Sequence, residues 1–277
     1  MPSSTRQHQG ILRARYTEEQ RSEARAGIGR GGDLGLDRCT DAQRRFRALL
    51  GLYLFNSATG PWPYATSGVA AFLTYSVVVS ARYDHLVMLD VGAVDNVVGR
   101  LMPRQNCQRG VAGLRLSTHR RGTYHLVHVP TASSLVITNR PTLEPVEQAT
   151  PHSPEWRTDF PNTTVPLSTE ERDAIHLAEA LSPSMERLLA GLVVRIGARD
   201  PEARWSLWQW SGRASQLWGY RDLWTMEWRG SPAPGDVAAA LTDPVFGITG
   251  AHAYRSADDE DVDVVLDGSR LRLNRGY

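Results

Sequence analysis

The chain has 277 residues, 41% of them hydrophobic, with 31 basic against 30 acidic side chains and a net charge of +1. Domains usually run about 100–200 residues, so this length holds one large or two small ones, and the apolar fraction supports a packed core over wholesale disorder. Near-neutrality exerts no global pull toward nucleic acid or anionic membrane. The basic residues are all arginine, which excludes a GxxxxGK[ST] phosphate loop, Schiff-base catalysis and kinase-type phosphoryl transfer.

Residues 1–36 read as a basic, flexible tail. Six Arg face three Glu within residues 1–30. Thr17 with Gln20 reads as a capping box opening a short helix, Glu18 to Ala26, and residues 27–32 follow as a glycine-rich linker. A helix with almost no apolar face is marginal alone and orders against a partner. Arg13, Arg15, Tyr16, Arg21 and Arg25 are the tail residues placed for such docking.

The first α+β unit spans 37–140. Thr40 with Gln43 caps a helix whose Phe46, Leu49, Leu50, Tyr53 and Leu54 form one apolar stripe. Strands are predicted over Val69–Ser80 and His85–Val91, around a turn near Arg82–Asp84. A short helix carries Val94, Val97, Val98 and Leu101 and stops at Pro103. Strands Ala112–His119, Thr123–Val129 and Leu135–Thr138 close the unit.

Residues 141–166 read as a proline-rich linker; Asn139 to Pro166 holds six prolines. The second α+β unit, 167–277, repeats the order. Ser168 with Glu171 caps a helix to about Leu181, and Ser182-Pro183 starts another with Leu188, Leu189, Leu192, Val193 and Ile196 inward. Strands are predicted at Arg204–Trp210 and Leu223–Arg229, a helix at Gly235–Leu241, and strands at Ile248–Arg255, Val262–Leu266 and Arg270–Leu273. Both halves thus read α-β-β-α-β-β-β, each an antiparallel sheet carrying helices. Local matches support an internal duplication: SSLVITNR (133–140) against GSRLRLNR (268–275), and RYDHLVMLD (82–90) against GYRDLWTME (219–227).

That element order resembles PAS, profilin and roadblock domains, and the resemblance implies a sensing or docking platform. The segments ARYTEEQRSEAR (14–25) and WTMEWRGSPAPGDVAAALTDP (224–244) resemble uncharacterised actinomycete proteins of plasmid and mobile-element type. This resemblance implies no catalytic residues.

Candidate chemistry is sparse. Cys39 and Cys107 stand far apart, which fits a reducing cytoplasm and supplies no thiolate metal site. The N-terminus shows no apolar signal region, and the longest apolar run, Val69 to Val79, is too short to span a membrane. Gly27, Gly29 and Gly32 match GxGxxG but follow a charged helix instead of a strand. His119, His125 and His128 cluster in sequence, yet strand alternation sends His125 and His128 to opposite faces. Asp90 and Asp95 sit where carboxylates favour a helix N-terminus. Asp258, Asp259, Glu260 and Asp261 read as a solvated hairpin tip. Arg100, Arg104, Arg109, Arg115, Arg120 and Arg121 form a basic patch.

Tryptophan carries the clearest signal. Six of the eight fall between 205 and 228. Alternation puts Trp208 and Trp210 on one face and Trp205 on the other, more than one small core absorbs. Trp205, Trp208, Trp210, Trp224 and Trp228, with Arg204 and Arg221, are therefore candidates for an interaction surface, with core and domain-interface packing as the structural alternative. The sequence offers no catalytic, cofactor or metal set. It reads first as a non-enzymatic interaction or scaffold protein of a bacterial multi-protein system, cytoplasmic, with a protein partner or a second copy. The alternatives are a nucleic-acid-associated accessory protein and a hydrolase built on scattered Asp and His.

Overall fold

A computed structural model describes residues 3–29, 33–56, 78–103, 110–120, 122–143, 160–178, 181–207, 210, 215–255 and 261–276. Among them are seven α-helices and ten strands in an α+β arrangement of two similar units. The first unit runs α3 (Asp41–Leu54), β1 (Val78–Ala81), β2 (His85–Leu89), α4 (Val94–Leu101), β3 (Leu114–Arg120), β4 (Thr123–His128) and β5 (Ser133–Thr138). The second runs α6 (Pro183–Val194), β6 (Ser215–Tyr220), β7 (Leu223–Trp228), α7 (Pro234–Thr242), β8 (His252–Arg255), β9 (Val262–Leu266) and β10 (Ser269–Arg275). Helix α5 (Thr169–Ala178) lies between the units, and α1 (Ser3–Thr17) and α2 (Arg21–Gly27) precede both.

Each unit folds into one five-stranded sheet, ordered β1-β2-β5-β4-β3 and β6-β7-β10-β9-β8. Outer neighbours are antiparallel, but the central pairs β2–β5 and β7–β10 are parallel. The sheets are therefore mixed, which corrects the all-antiparallel expectation. A parallel pair needs a crossover between its strands, and α4 and α7 lie within those crossovers.

Register also corrects the internal alignment by one residue. Leu86 pairs with Leu135, and Trp224 pairs with Leu271. All four are buried in the same core. Leu86 thus corresponds to Trp224 and Leu135 to Leu271, whereas the sequence matches set Leu86 against Leu223 and Leu135 against Arg270. A one-residue slip moves every side chain to the opposite face, and Leu223 and Arg270 are indeed exposed.

Helix starts follow the sequence signals. Thr40 accepts from the Gln43 amide at 3.1 Å, and Ser182 from that of Met185 at 3.2 Å. Ser168 and Glu171 form the reciprocal capping box, at 3.1 and 2.9 Å. Helices α3 and α6 pack against each other. Gly51 sets their closeness: an added Cβ there would lie 3.2 Å from Val193. One continuous apolar core runs from Phe46 and Leu50 through Leu188 and Leu192 to Trp228 and Leu273.

The N-terminal segment departs most from its expected form. Thr17 ends a 15-residue helix instead of opening one, and the second helix starts at Arg21. Both helices are packed into the protein. The fully buried Arg13 side chain meets the Glu19 carboxylate at 2.5 and 2.9 Å and the carbonyls of Leu34 and Ala81, both at 3.0 Å. Tyr16 stacks on Phe246 at 4.7 Å and on Trp205 at 6.0 Å. Arg82 from the first unit binds Glu23 of α2.

Candidate functional site

The tryptophan-rich region resolves into a buried set and an exposed set. Trp205, Trp210, Trp224 and Trp228 are all buried in the core. Each indole N–H has a partner: Asp243 Oδ2 for Trp205 (3.3 Å), the Ile196 carbonyl for Trp210 (3.1 Å), the Arg221 carbonyl for Trp224 (3.2 Å) and the Pro232 carbonyl for Trp228 (2.8 Å). Trp210 also packs on Trp228 and Phe55, both at 5.3 Å. Trp208 lies outside the described residues. These side chains fill the protein and present no face to a partner. Arg204 is half-exposed and held by Asp200 at 2.6 Å. Asp200 is pulled down to about 2, first by its hydrogen bond from Arg204.

The reason is a displaced strand. The described part of that segment, 204–207 and 210, belongs to no named strand; the partner of β7 is β6, Ser215–Tyr220. A two-residue turn, Arg221-Asp222, joins them, with Arg221 in the left-handed region at φ 50°. In this register Leu217 points into the core while Trp218 and Tyr220 point outward.

Following that outward side across the sheet gives two rows. One is Tyr220, Leu223, Arg270, Val265 and His252, and the other is Trp218, Thr225, Arg272, Asp263 and Tyr254. Trp218 is 40% exposed, Leu223 56%, Tyr254 59% and Tyr220 61%. The Arg221 guanidinium sits over the Tyr220 ring, 5.1 Å from its centre. Arg272 and Arg270 both reach the Asp263 carboxylate, at 3.0 and 3.6 Å.

The corresponding face of the first sheet differs. Val87, Leu89 and Val136 occupy the positions of Thr225, Glu227 and Arg272, and they are buried, with Val78 and Leu143 packed on them. The two similar units match in apolar character on their inner faces and differ on their outer ones. No family model, curated protein or solved structure matches the chain.

The remaining nominated residues fall as follows. Arg13 and Tyr16 are buried, whereas Arg15, Arg21 and Arg25 are exposed. Arg115 leaves the basic patch: it is buried, with Glu171 at 2.7 and 2.8 Å and the carbonyls of Val165 and Pro166 at 3.1 Å. Burial raises the Glu171 carboxyl, but Arg115 and the amides of Ser168 and Gly113 outweigh it and hold it below the usual range. Arg104, Arg109 and Arg121 lie outside the described residues, as do Cys107 and the acidic stretch 258–260.

The histidines do not converge. His128 stacks on Phe46 at 5.1 Å and His119 on Tyr124 at 4.0 Å, while His125 faces the other side. Burial drives His128 down to about 4. Asp95 accepts the Tyr124 hydroxyl at 2.5 Å, a structural role. Among the described residues no three His, Cys, Asp or Glu side chains group as a metal site requires, and no helix is long and apolar enough to cross a membrane.

Proposed function

We propose that this chain is a non-enzymatic protein-interaction module of the bacterial cytoplasm, and that it binds a protein partner through the outer face of its second sheet. The carrying observation is the exposed group Trp218, Tyr220 and Leu223 at the β6–β7 edge of the second sheet's outer face, with exposed Tyr254 on the opposite edge strand. Trp, Tyr and Arg are the residues that concentrate binding energy at protein interfaces. Aromatics on strands lose little rotamer freedom on docking. Contiguous exposed apolar surface on a folded chain marks an interaction site more often than chance.

Charge decides the kind of partner. Arg270 and Arg272 share Asp263, and Glu227 lies on the same face beside Asn274. That near-neutral surface lacks the excess of free arginine that tracks a nucleic-acid backbone. It favours a protein surface with apolar anchors and few charges over a single strand of DNA or RNA.

A photo-crosslinking amino acid placed at 218, 220 or 254 in the native host tests this, with 275 as control. The expected result is one protein captured from the three face positions and not from the control. The purified partner should then bind the wild-type chain and lose at least about tenfold affinity with Trp218→Ser plus Tyr254→Ser. Crosslinks no stronger than at 275, or unchanged affinity for the double variant, would reject the reading.

A further inference from the structure

A second feature lies away from the sheet face. A cleft of about 290 Å³ opens where α3 of the first unit meets α6 of the second. Arg38, Arg44, Arg47 and Arg187 line it, against Asp33 and Asp37. Arg44 and Arg47 are one turn apart on α3 and so share a side of that helix. Both aspartates are committed: Asp37 binds Arg195 at 2.7 and 2.8 Å, and Asp33 accepts the Gly35 amide at 3.0 Å.

Arg47 is the informative member. It is 1% exposed and has no carboxylate partner. Its Nη groups donate to the carbonyls of Leu36 (3.0 Å), Arg82 and His85 (3.5 Å), and its Nε is buried without any partner. A buried cation without a counter-ion is costly. Arg38 is exposed at the cleft and makes no hydrogen bond or ion pair with the described residues. Arg44 binds the surface carboxylate of Asp41, and Arg187 binds that of Asp267 and donates to the Thr249 carbonyl at 3.1 Å. Four guanidinium groups therefore line a space in which Asp37 is already paired with Arg195 and Asp33 accepts only a backbone amide.

We propose that this cleft binds a small dianionic oxyanion, a phosphate group or a dicarboxylate, with Arg47 at its base and Arg38 and Arg187 at its rim. The guanidinium fork matches such oxygens in pairs. With the ion-pair partners Arg195, Asp41 and Asp267 included, five guanidinium groups face four carboxylates, so the cleft stays net positive. The volume sits at the small end of ligand pockets, room for a head group with a short body. The site joins the two units, so occupancy would also clamp α3 against α6.

The test uses the full chain and inorganic phosphate at fixed ionic strength, with sugar phosphate, succinate and acetate as further arms. Calorimetry should show saturable phosphate binding, and the melting temperature should rise with it. Arg38→Gln and Arg187→Gln should each weaken binding about tenfold, and Arg275→Gln should not. Cys39 lines the same cleft, so peptide mapping should show phosphate slowing maleimide labelling of Cys39. Arg47→Met should abolish binding, with circular dichroism checking that it folds. The sugar phosphate and succinate arms distinguish the two ligand sources. Absence of saturable binding by every dianion would overturn the proposal. So would acetate binding as tightly, unchanged affinity in both rim variants, or unaltered Cys39 labelling.

Discussion

Asn56 offers the sharpest test of how the two units are joined. It follows α3 and is buried. Its Nδ2 donates to the Leu52 carbonyl at 2.8 Å and to the Leu217 carbonyl at 2.9 Å, and its Oδ1 accepts the Leu217 amide at 2.9 Å. One side chain of the first unit thus satisfies both backbone groups of a core residue in the second. Asn56→Ala strands the amide and the carbonyl of Leu217 in a buried place. Each orphaned group costs roughly 1–3 kcal/mol, and entry of water into the small void recovers part of that. The expected loss is about 3 kcal/mol, read from the urea midpoint with an unchanged slope. Asn56→Asp keeps the acceptor, loses the donor and buries a charge. It should cost more than Asn56→Ala at neutral pH, and acidification should relieve it. A loss under about 1 kcal/mol for Asn56→Ala would show that this contact does not tie the units together.

Three further outcomes follow from two buried side chains and one close backbone approach. Arg115→Met leaves Glu171 charged without its guanidinium and should cost about 3–5 kcal/mol in chemical denaturation. Because the Glu171 carboxyl is held low in the folded chain, its contribution is present at neutral pH and is lost as pH falls through the acid range; in Arg115→Met the acid limb of the stability profile should shrink. His128 is neutral when folded down to about pH 4 but protonates near 6.5 when unfolded. Stability should fall by about 3 kcal/mol between those values on acidification, and His128→Gln should flatten that stretch. A Cβ at Gly219 would come within 2.3 Å of the Leu223 carbonyl oxygen and 2.6 Å of the Trp224 Cα. Gly219→Ala should therefore cost about 1–3 kcal/mol and shift tryptophan fluorescence as the hairpin parts.

What the sequence disclosed depended on how local the deciding physics was. The caps at Thr40, Ser168 and Ser182 are read within three residues, and all three sit where their pattern places them. The repeated element order emerged because helix and strand periods are properties of short windows. The tail escaped because its buried stripe is Gly10, Arg13, Tyr16 and Thr17. Arg13 is apolar to no scale, and only Glu19 and two distant carbonyls make its burial tolerable. The displaced strand arose because Arg204–Trp210 has more aromatic and alternating character than Ser215–Tyr220, while the Arg221-Asp222 turn lacks the usual glycine. Placing that tight turn next to Leu223 was the available signal for the outward Trp218 and Tyr220. Of the cleft arginines, Arg38, Arg44 and Arg47 lie within ten residues of one another, but Arg187 joins them only through the α3–α6 contact.

The burial of Tyr16 between Trp205 and Phe246 bears on biosynthesis. Tyr16 has its aromatic partners far downstream in the chain, in segments that are synthesised long after helix α1. Until the second unit has been made, Tyr16 lacks the rings that make its burial favourable, so the final seating of α1 follows synthesis of that unit.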